Sequence, residues 1–124
     1  MEIRGKVWGS TSKIFDKNNV QVERMILNSN SFCSKHKHNH KFNMFFVEKG
    51  KIKVSVWKKS YNLVDVTVLE SNQCTIVPPG EFHQFEVLEE NSIVFEFYWT
   101  ETNDNDIERE TVGGINNHGE EKDT

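Results

Sequence analysis

Three of the chain's five histidines stand at alternate positions in the segment Lys35–Lys41, as His36, His38 and His40. Alternate side chains of an extended strand point to the same face, so a strand here would place the three imidazoles together. Neutral imidazole is a good ligand for zinc, iron, copper and nickel. The segment therefore predicts a metal site. The alternative is a surface loop that is rich in His and Lys.

A second group of residues, Pro78–His83, strengthens the metal interpretation. Together with the histidine segment, its spacing resembles the two sequence motifs of the cupin superfamily. A match at this many spaced positions is far more specific than a lone pair of histidines. The matching positions read His36-x-His38-(x4)-Asn43-(x6)-Gly50 in the first motif and Asn72-(x5)-Pro78-x-Gly80-(x2)-His83 in the second.

This spacing also has a physical reason, because it can bring distant residues to one interior. The residues after His38 let the chain turn, so that Asn43 enters the next strand facing the same side. Pro78 fixes φ and Gly80 permits a positive φ, so their turn delivers His83 to the start of another strand. We therefore predict that a divalent metal (Zn, Fe, Mn or Ni) is held inside a barrel by His36, His38 and His83, with Asn43 or water completing the coordination sphere.

Strand signals recur along the chain at intervals of roughly 8–12 residues, and no segment has a sustained helical period. Residues 52–56 and 64–68 alternate apolar with polar side chains, and a strand is also expected over about 33–40. The pattern predicts an all-β domain, a double-stranded β-helix or jelly-roll barrel, over residues 1–100. Residues 101–124 are expected to form an acidic, mostly flexible tail, in which Gly113–His118 is unstructured.

The net charge of −4 is unevenly distributed. Residues 100–124 contain eight Asp or Glu and two Lys or Arg, which gives −6 and leaves +2 for the rest. A mildly basic body is compatible with an anionic small-molecule substrate. Nucleic acid is not an expected partner, because there is no basic stripe.

The chain has no apolar run long enough to span a bilayer, and its N-terminus does not resemble a signal peptide. Its two cysteines, Cys33 and Cys74, are too few for a disulfide framework, so reduced thiols are expected. Cys33 is expected to be a half-buried residue, and its position three residues before His36 leaves a role beside the metal open. A cytoplasmic location and no membrane partner follow as expectations.

Within the cupins, the chain resembles the C-terminal domain of type II phosphomannose isomerases. Val7-Trp8-Gly9-Ser10 matches the segment that opens those domains, and Asp104–Arg109 matches part of their acidic end. Their metal segment places Gln, Arg and Glu where this chain has His36, Lys41 and Asn43. The resemblance implies a metal-dependent mannose-6-phosphate isomerase-like activity on a sugar phosphate or nucleotide sugar, with Lys41 as the candidate catalytic residue.

The departures from that family keep other functions open. Asn43 removes the only anionic ligand, and the guanylyltransferase domain of the bifunctional enzymes is missing. One alternative is a non-catalytic metal- or carbohydrate-binding cupin, and another is a three-histidine iron dioxygenase. A catalytic base is not evident. A candidate base must occupy a strand position that faces inward. Glu96, flanked by Phe95 and Phe97, is expected to face outward. The other candidates are Glu48, Glu81, Gln84 and Glu86.

A homodimer is expected by analogy with barrel-type cupins, which often pair through sheet edges. The apolar strand over residues 93–99 is the candidate interface edge.

Overall fold

The computed structural model describes residues 2–101, 110–117 and 120–123, and within these ranges the chain is all-β. The predicted jelly-roll class is confirmed by two main antiparallel sheets. None of these residues belongs to a helix that could cross a membrane. The strands are β1 (Ile3–Lys6), β2 (Gly9–Lys17), β3 (Val20–Leu27), β4 (Phe42–Lys49), β5 (Lys51–Trp57), β6 (Val64–Glu70), β7 (Cys74–Val77), β8 (Phe82–Val87), β9 (Ser92–Trp99), β10 (Gly114–Asn117) and β11 (Glu120–Asp123).

The larger sheet has six strands in the order β1-β2-β3-β9-β4-β7, and the smaller sheet has three in the order β6-β5-β8. β9 lies between β3 and β4 and is hydrogen-bonded to both along nearly its whole length. It is therefore a central strand. The expectation that residues 93–99 form an interface edge is wrong, because both sides of this strand are already paired.

The apolar core lies between the inner faces of the two sheets and includes Met25, Phe45, Val54 and Val94, all buried. Because side chains alternate along a strand, a residue two positions from a core residue also points to the inner face. Asn43 has the phase of Phe45, and Glu96 has the phase of Val94. Both polar side chains are also buried. The inner face of the large sheet thus changes from apolar to polar along its strands.

Two local predictions are wrong. Residues 33–40 are not a regular strand, and only isolated bridges tie Phe32 to Glu86 and His36 to His83. This segment has almost no apolar alternation that a sheet could bury. In the tail, residues 114–117 were expected to be unstructured but pair with β11 as a hairpin. His118 lies outside the described residues, and the flexibility of the tail stays a prediction.

Gly50 is required at the turn between β4 and β5. Its φ of +97° favours glycine, and an added Cβ would overlap Ser92 Oγ on β9. We expect Gly50→Ala to lower the free energy of unfolding by about 3 kcal/mol in urea denaturation. Gly5→Ala is the matched control, because a Cβ there meets open space, and it should change stability by less than about 0.5 kcal/mol. Equal losses would contradict the strain argument.

Candidate metal centre

Backbone hydrogen bonds bring the histidine segment against the turn that precedes β8. The N–H groups of His36 and His83 each donate to the other's carbonyl oxygen, at 3.0 and 2.8 Å. The N–H of Gly80 donates to the carbonyl of His38 at 2.7 Å, and the φ of Gly80 is +86°. The Pro-Pro-Gly turn therefore has the positive-φ glycine that was expected, and it holds the two histidine-bearing segments together.

The imidazoles of His36, His38 and His83 form one cluster. A ring nitrogen from each lies within 4.8 Å of the others. The ring centroids are 4.5 Å apart for His36 and His83, 5.2 Å for His36 and His38, and 5.5 Å for His38 and His83. These three side chains can hold a metal ion, and three of the four predicted ligands are thus brought together.

Two of the rings have a defined orientation. Nδ1 of His36 lies 2.8 Å from the carbonyl oxygen of Ser34, and Nδ1 of His83 lies 3.1 Å from that of Glu81. A carbonyl can only accept, so each Nδ1 carries the proton and donates it. The neutral ring then has its lone pair on Nε2, which is the arrangement that metal-binding histidines commonly have.

Four buried side-chain atoms in the described part of the chain have no hydrogen-bond partner: Nε2 of His38, Nε2 of His83, Oδ1 of Asn43 and Oε2 of Glu23. Such atoms are costly unless something binds them. Three of the four belong to predicted metal ligands. Asn43 is 1% exposed and fixes its side chain by donating from Nδ2 to the carbonyl of Phe97 at 3.1 Å. The donor set therefore fits a cation with nitrogen and oxygen ligands.

Burial also favours the neutral form of two of the three histidines. It lowers the pKa of His83 to about 4, with the neighbouring His36 and His38 adding to the effect against the hydrogen bond to Glu81. The pKa of His38 is lowered by burial and by the charges of His36 and Lys41. Unprotonated imidazole is the form that binds metals, so these two ligands need no deprotonation at neutral pH.

His40 and Lys41 lie away from the cluster. Both are exposed, and His40 is not a member of the three-histidine group. The Nζ of Lys41 lies 5.9 Å from the ring centroid of Tyr98, and Lys41 lines a small cavity of about 60 Å³ on that side. Tyr98 also lines a second, larger cavity. The catalytic role of Lys41 stays a prediction.

A cavity of about 270 Å³ adjoins the histidine cluster. It reaches His36 on one side, and its walls come mainly from β1, β3 and β9. Arg4 and Lys6 supply positive charge, and Trp8 and Phe85 supply apolar surface. The polar groups that line it include Glu23 and Glu96, which are both buried, and Tyr98. This mixture suits a small polar molecule.

Glu96 faces this cavity, so the expectation that it faces outward is wrong. It is 7% exposed, and burial raises the pKa of its carboxyl group to about 7, against hydrogen bonds from Tyr98 and Asn43, with a smaller contribution from Glu23. Burial and the charge of Glu96 raise the pKa of Tyr98. The ring of Tyr98 lies 5.1 Å from that of His38. A carboxyl group that titrates near neutral pH can both accept and donate a proton.

Glu23 is the direct cross-strand neighbour of Glu96. Its Oε1 accepts hydrogen bonds from Arg4 at 3.0 Å and from Thr11 at 2.9 Å, while Oε2 has no partner. Two carboxyl groups in one buried place resist ionising together, and Glu23 accordingly contributes to the raised pKa of Glu96. Neither Glu23, Arg4 nor Tyr98 was identified from the sequence.

The remaining candidate bases point elsewhere. Glu86 pairs with Lys53 at 2.8 Å, and Glu48 lies 3.9 Å from Arg24. Gln84 donates to the carbonyl of Cys33 at 2.8 Å. Glu81 is buried but bound by Lys58 at 2.9 Å and by the backbone N–H of Lys59 at 3.0 Å.

Cys33 is fully buried in the cavity wall rather than half-buried. Its sulfur accepts from the N–H of Phe85 at 3.2 Å, and it is not part of the histidine cluster. Burial raises the pKa of its thiol to about 11. Cys33 is therefore an unreactive thiol at neutral pH.

No protein-family model and no curated protein sequence matches the chain. Solved structures do match its fold. KdgF from a Halomonas species superposes with a TM-score of 0.70 at 12% identity, over 84% of this chain and 92% of that protein. CapF, a capsular polysaccharide assembling protein from Staphylococcus aureus, matches with a TM-score of 0.70 at 19% identity, over 84% of this chain. Oxalate decarboxylase from Bacillus subtilis, which has Mn(II) centres, matches with a TM-score of 0.72 at 14% identity, over 82% of this chain.

These similarities show a cupin fold, since the cupin domain of Cnp3 from Schizosaccharomyces pombe also matches, with a TM-score of 0.68 at 13% identity over 82% of this chain and 69% of that one. The chain spans nearly all of KdgF but under a third of CapF and of oxalate decarboxylase. At these identities the fold alone is shared. The specific resemblance to mannose-6-phosphate isomerases has no counterpart among these matches and stays a hypothesis.

Proposed function

We propose that this chain is a metal-dependent enzyme that moves a proton within a small anionic molecule, a sugar phosphate or nucleotide sugar, as mannose-6-phosphate isomerases do. The observation that carries the proposal is the buried carboxyl group of Glu96 in the cavity that His36 also lines. It supplies the catalytic base that the sequence did not reveal. His36, His38 and His83 would hold the metal, with Oδ1 of Asn43 as a fourth ligand.

When bound, the metal would act as a Lewis acid on a carbonyl or hydroxyl oxygen of the substrate. The protein's own contribution is proton transfer. In an aldose–ketose conversion, the Glu96 carboxylate takes the proton from the carbon next to the carbonyl and returns it to the former carbonyl carbon. The proton of the neighbouring hydroxyl passes to the former carbonyl oxygen. A pKa of about 7 allows one group to perform both halves of the carbon transfer.

The charges around the cavity support an anionic substrate. Lys6 lines the cavity and can contact a phosphate or carboxylate, while the nearby Arg4 is already paired with Glu23. Lys41 borders the neighbouring small cavity, which shares Tyr98 and Gln21 with the larger one. A sugar phosphate that extends past Tyr98 would bring its charged end to Lys41. A cytoplasmic location remains the expectation for this chain, whose two cysteines are free thiols.

The test begins with elemental analysis of protein expressed in metal-supplied medium. About one divalent metal per chain is expected. The loaded protein is then incubated with mannose 6-phosphate in D₂O, and NMR follows both the formation of the ketose phosphate and the entry of deuterium at the carbons next to the carbonyl. We expect conversion that stops when a chelator removes the metal and returns when the metal is restored.

Two outcomes contradict the proposal. Protein that neither contains nor takes up a divalent metal removes its basis. Metal-loaded protein that binds sugar phosphates but neither converts the aldose to the ketose nor exchanges its carbon-bound protons would indicate a non-catalytic binding cupin.

A further inference from the structure

Trp8 lines the cavity beside the histidine cluster and is held in place by its backbone. It is the second residue of the two-residue turn between β1 and β2, at which Lys6 pairs with Gly9. The carbonyl oxygen of Trp8 accepts hydrogen bonds from the N–H of Asn28 at 2.9 Å and from Oγ of Ser31 at 3.3 Å. The turn is therefore fixed to the chain that follows β3.

The indole of Trp8 packs on the core and meets Phe85 edge to face, with ring centroids 5.4 Å apart and an angle of 76° between the planes. The hairpin lies close to β3, because a Cβ on Gly9 would overlap the carbonyl oxygen of Ile26. In an edge-to-face pair, Phe85 covers at most one face of the indole. Trp8 is only half-buried, so an indole face is left for a ligand.

The lining of the cavity is divided between an apolar and a polar group of residues. Phe85 lies beside Trp8, and its N–H donates to the sulfur of Cys33 at 3.2 Å. Glu23 and Glu96 are paired across β3 and β9, and Oε2 of Glu23 has no hydrogen-bond partner among the described residues. Carboxyl oxygens accept hydrogen bonds from hydroxyl groups. A ligand that fits this cavity has one apolar side and several hydroxyl groups.

A sugar in its closed-ring form has these properties. The C–H groups on one side of a pyranose ring form an apolar surface, while its hydroxyl groups point outward around the rim. The face of an aromatic ring carries partial negative charge, so C–H groups pack on it favourably. The cavity volume of about 270 Å³ lies just below the roughly 300–1,000 Å³ of typical small-molecule sites. This volume favours a single sugar ring over a nucleotide sugar.

We propose that Trp8 is the stacking platform for the sugar and that the cavity takes its ligand as a closed pyranose ring. The inference rests on the proposed function for its ligand class, a sugar phosphate. Binding of the ring precedes the proton transfer assigned to Glu96, which acts on the open chain. Ring opening between the two stages breaks the bond from C1 to the ring oxygen, and a proton moves from the C1 hydroxyl to that oxygen.

The test uses two ligands that have no carbonyl group and cannot be isomerised. One is 1,5-anhydromannitol 6-phosphate, a closed ring, and the other is mannitol 1-phosphate, an open chain. Isothermal titration of the zinc-loaded full chain gives both dissociation constants, and the open-chain constant divided by the ring constant measures the preference for the ring. Trp8→Leu, which keeps an apolar side chain without an aromatic face, should lower this ratio at least about fivefold. Trp8→Phe should lower it by less than about twofold.

Trp57→Leu is the matched control. It also removes a half-buried indole, but Trp57 is not one of the residues that line the cavity, and Lys35 lies over its ring at 4.0 Å. The ratio should stay as in wild type. A second measurement keeps the test valid if Trp8→Leu fails to fold. The ring C–H protons of the closed-ring ligand should shift upfield in NMR when wild type binds it, because an indole face shields the protons above it.

Three results overturn the inference: equal weakening of both ligands by Trp8→Leu, the same change of ratio in Trp57→Leu, or a wild type that binds neither ligand. These results are distinct from failure of the proposed function. Protein that converts mannose 6-phosphate without a change of ratio in Trp8→Leu is an isomerase that lacks the stacking platform. Protein that shows the change of ratio without any conversion has the platform and lacks the proton transfer.

Discussion

His38→Ala is expected to weaken divalent-metal binding by at least about a hundredfold, because loss of a group that merely orients a ligand already costs tenfold to a hundredfold. The Nε2 atom of His38 is buried and has no hydrogen-bond partner within the described part of the protein. The variant removes this nitrogen from the proposed set of metal ligands. Isothermal titration of metal-free protein with Zn²⁺ or Ni²⁺ at neutral pH measures the change. His38 is only half-buried, which makes it a safer site for alanine than the fully buried His83.

His40→Ala is the matched control. It removes an imidazole two residues away that is exposed and outside the cluster, so the dissociation constant should change by less than about threefold. Equal losses in the two variants would show that the metal is held by the flexible ends of a histidine-rich segment. The site described above would then be wrong.

Glu96→Gln is expected to reduce the rate of proton exchange in the sugar phosphate by about 10² to 10⁴-fold, the usual contribution of a general base. Glutamine keeps the size and hydrogen-bonding capacity of the side chain but cannot accept a proton from carbon. Metal content should be unchanged, because Glu96 is not one of the proposed ligands. The measurements are deuterium incorporation and metal analysis on the same preparation.

The pH dependence of stability separates this role from a structural one. The folded-state pKa of about 7 lies above the ordinary 4.5, so the contribution of Glu96 to folding is fully present below pH 4.5 and is lost as the pH rises through 7. Glutamine does not ionise. The melting temperature of the variant relative to wild type should therefore rise between about pH 5 and pH 8.

Glu86→Gln is the control for these measurements, since Glu86 pairs with Lys53 on the outer face of the smaller sheet. This variant should retain exchange activity, and its melting temperature relative to wild type should not rise comparably between about pH 5 and pH 8. An active Glu96→Gln variant would remove Glu96 from the mechanism. An inactive variant that is also less stable at pH 8 would indicate that Glu96 supports the fold.

The three-histidine cluster was predictable because the spacing of its residues encodes a turn. Gly80 must adopt a positive φ, and its N–H then reaches the carbonyl of His38, so the sequence interval alone places His83 beside the other histidines. Asn43 was also placed correctly in the interior by its alternation with Phe45. The regular strand expected around the histidines was not found, because the segment is held by a few bridges to β8 and has no ladder of its own.

Glu96 was not predictable by the same reasoning. Hydrophobic alternation assigns the strand positions with large apolar side chains to the core. In β9 these positions are Phe95, Phe97 and Trp99. The structure reverses it, because the polar phase borders the cavity and the aromatic phase lies on the outer face. When one face of a strand is apolar and the other face lines a polar cavity, the alternation of side chains alone does not show which face points inward. The cavity and the aromatic outer face were therefore missed together.

The central position of β9 has a consequence for how the chain acquires its fold. Glu23 and Glu96 are paired although they are about seventy residues apart in sequence, and such non-local pairing slows folding to milliseconds or seconds. During synthesis, β3 and β4 must wait for Trp99 to emerge before either gains its shared neighbour. Until then both strands have an unpaired edge, and the aromatic residues of β4 lack their neighbours on β9. A chain in which β9 has not yet been inserted is therefore expected to be more prone to aggregate than the folded protein.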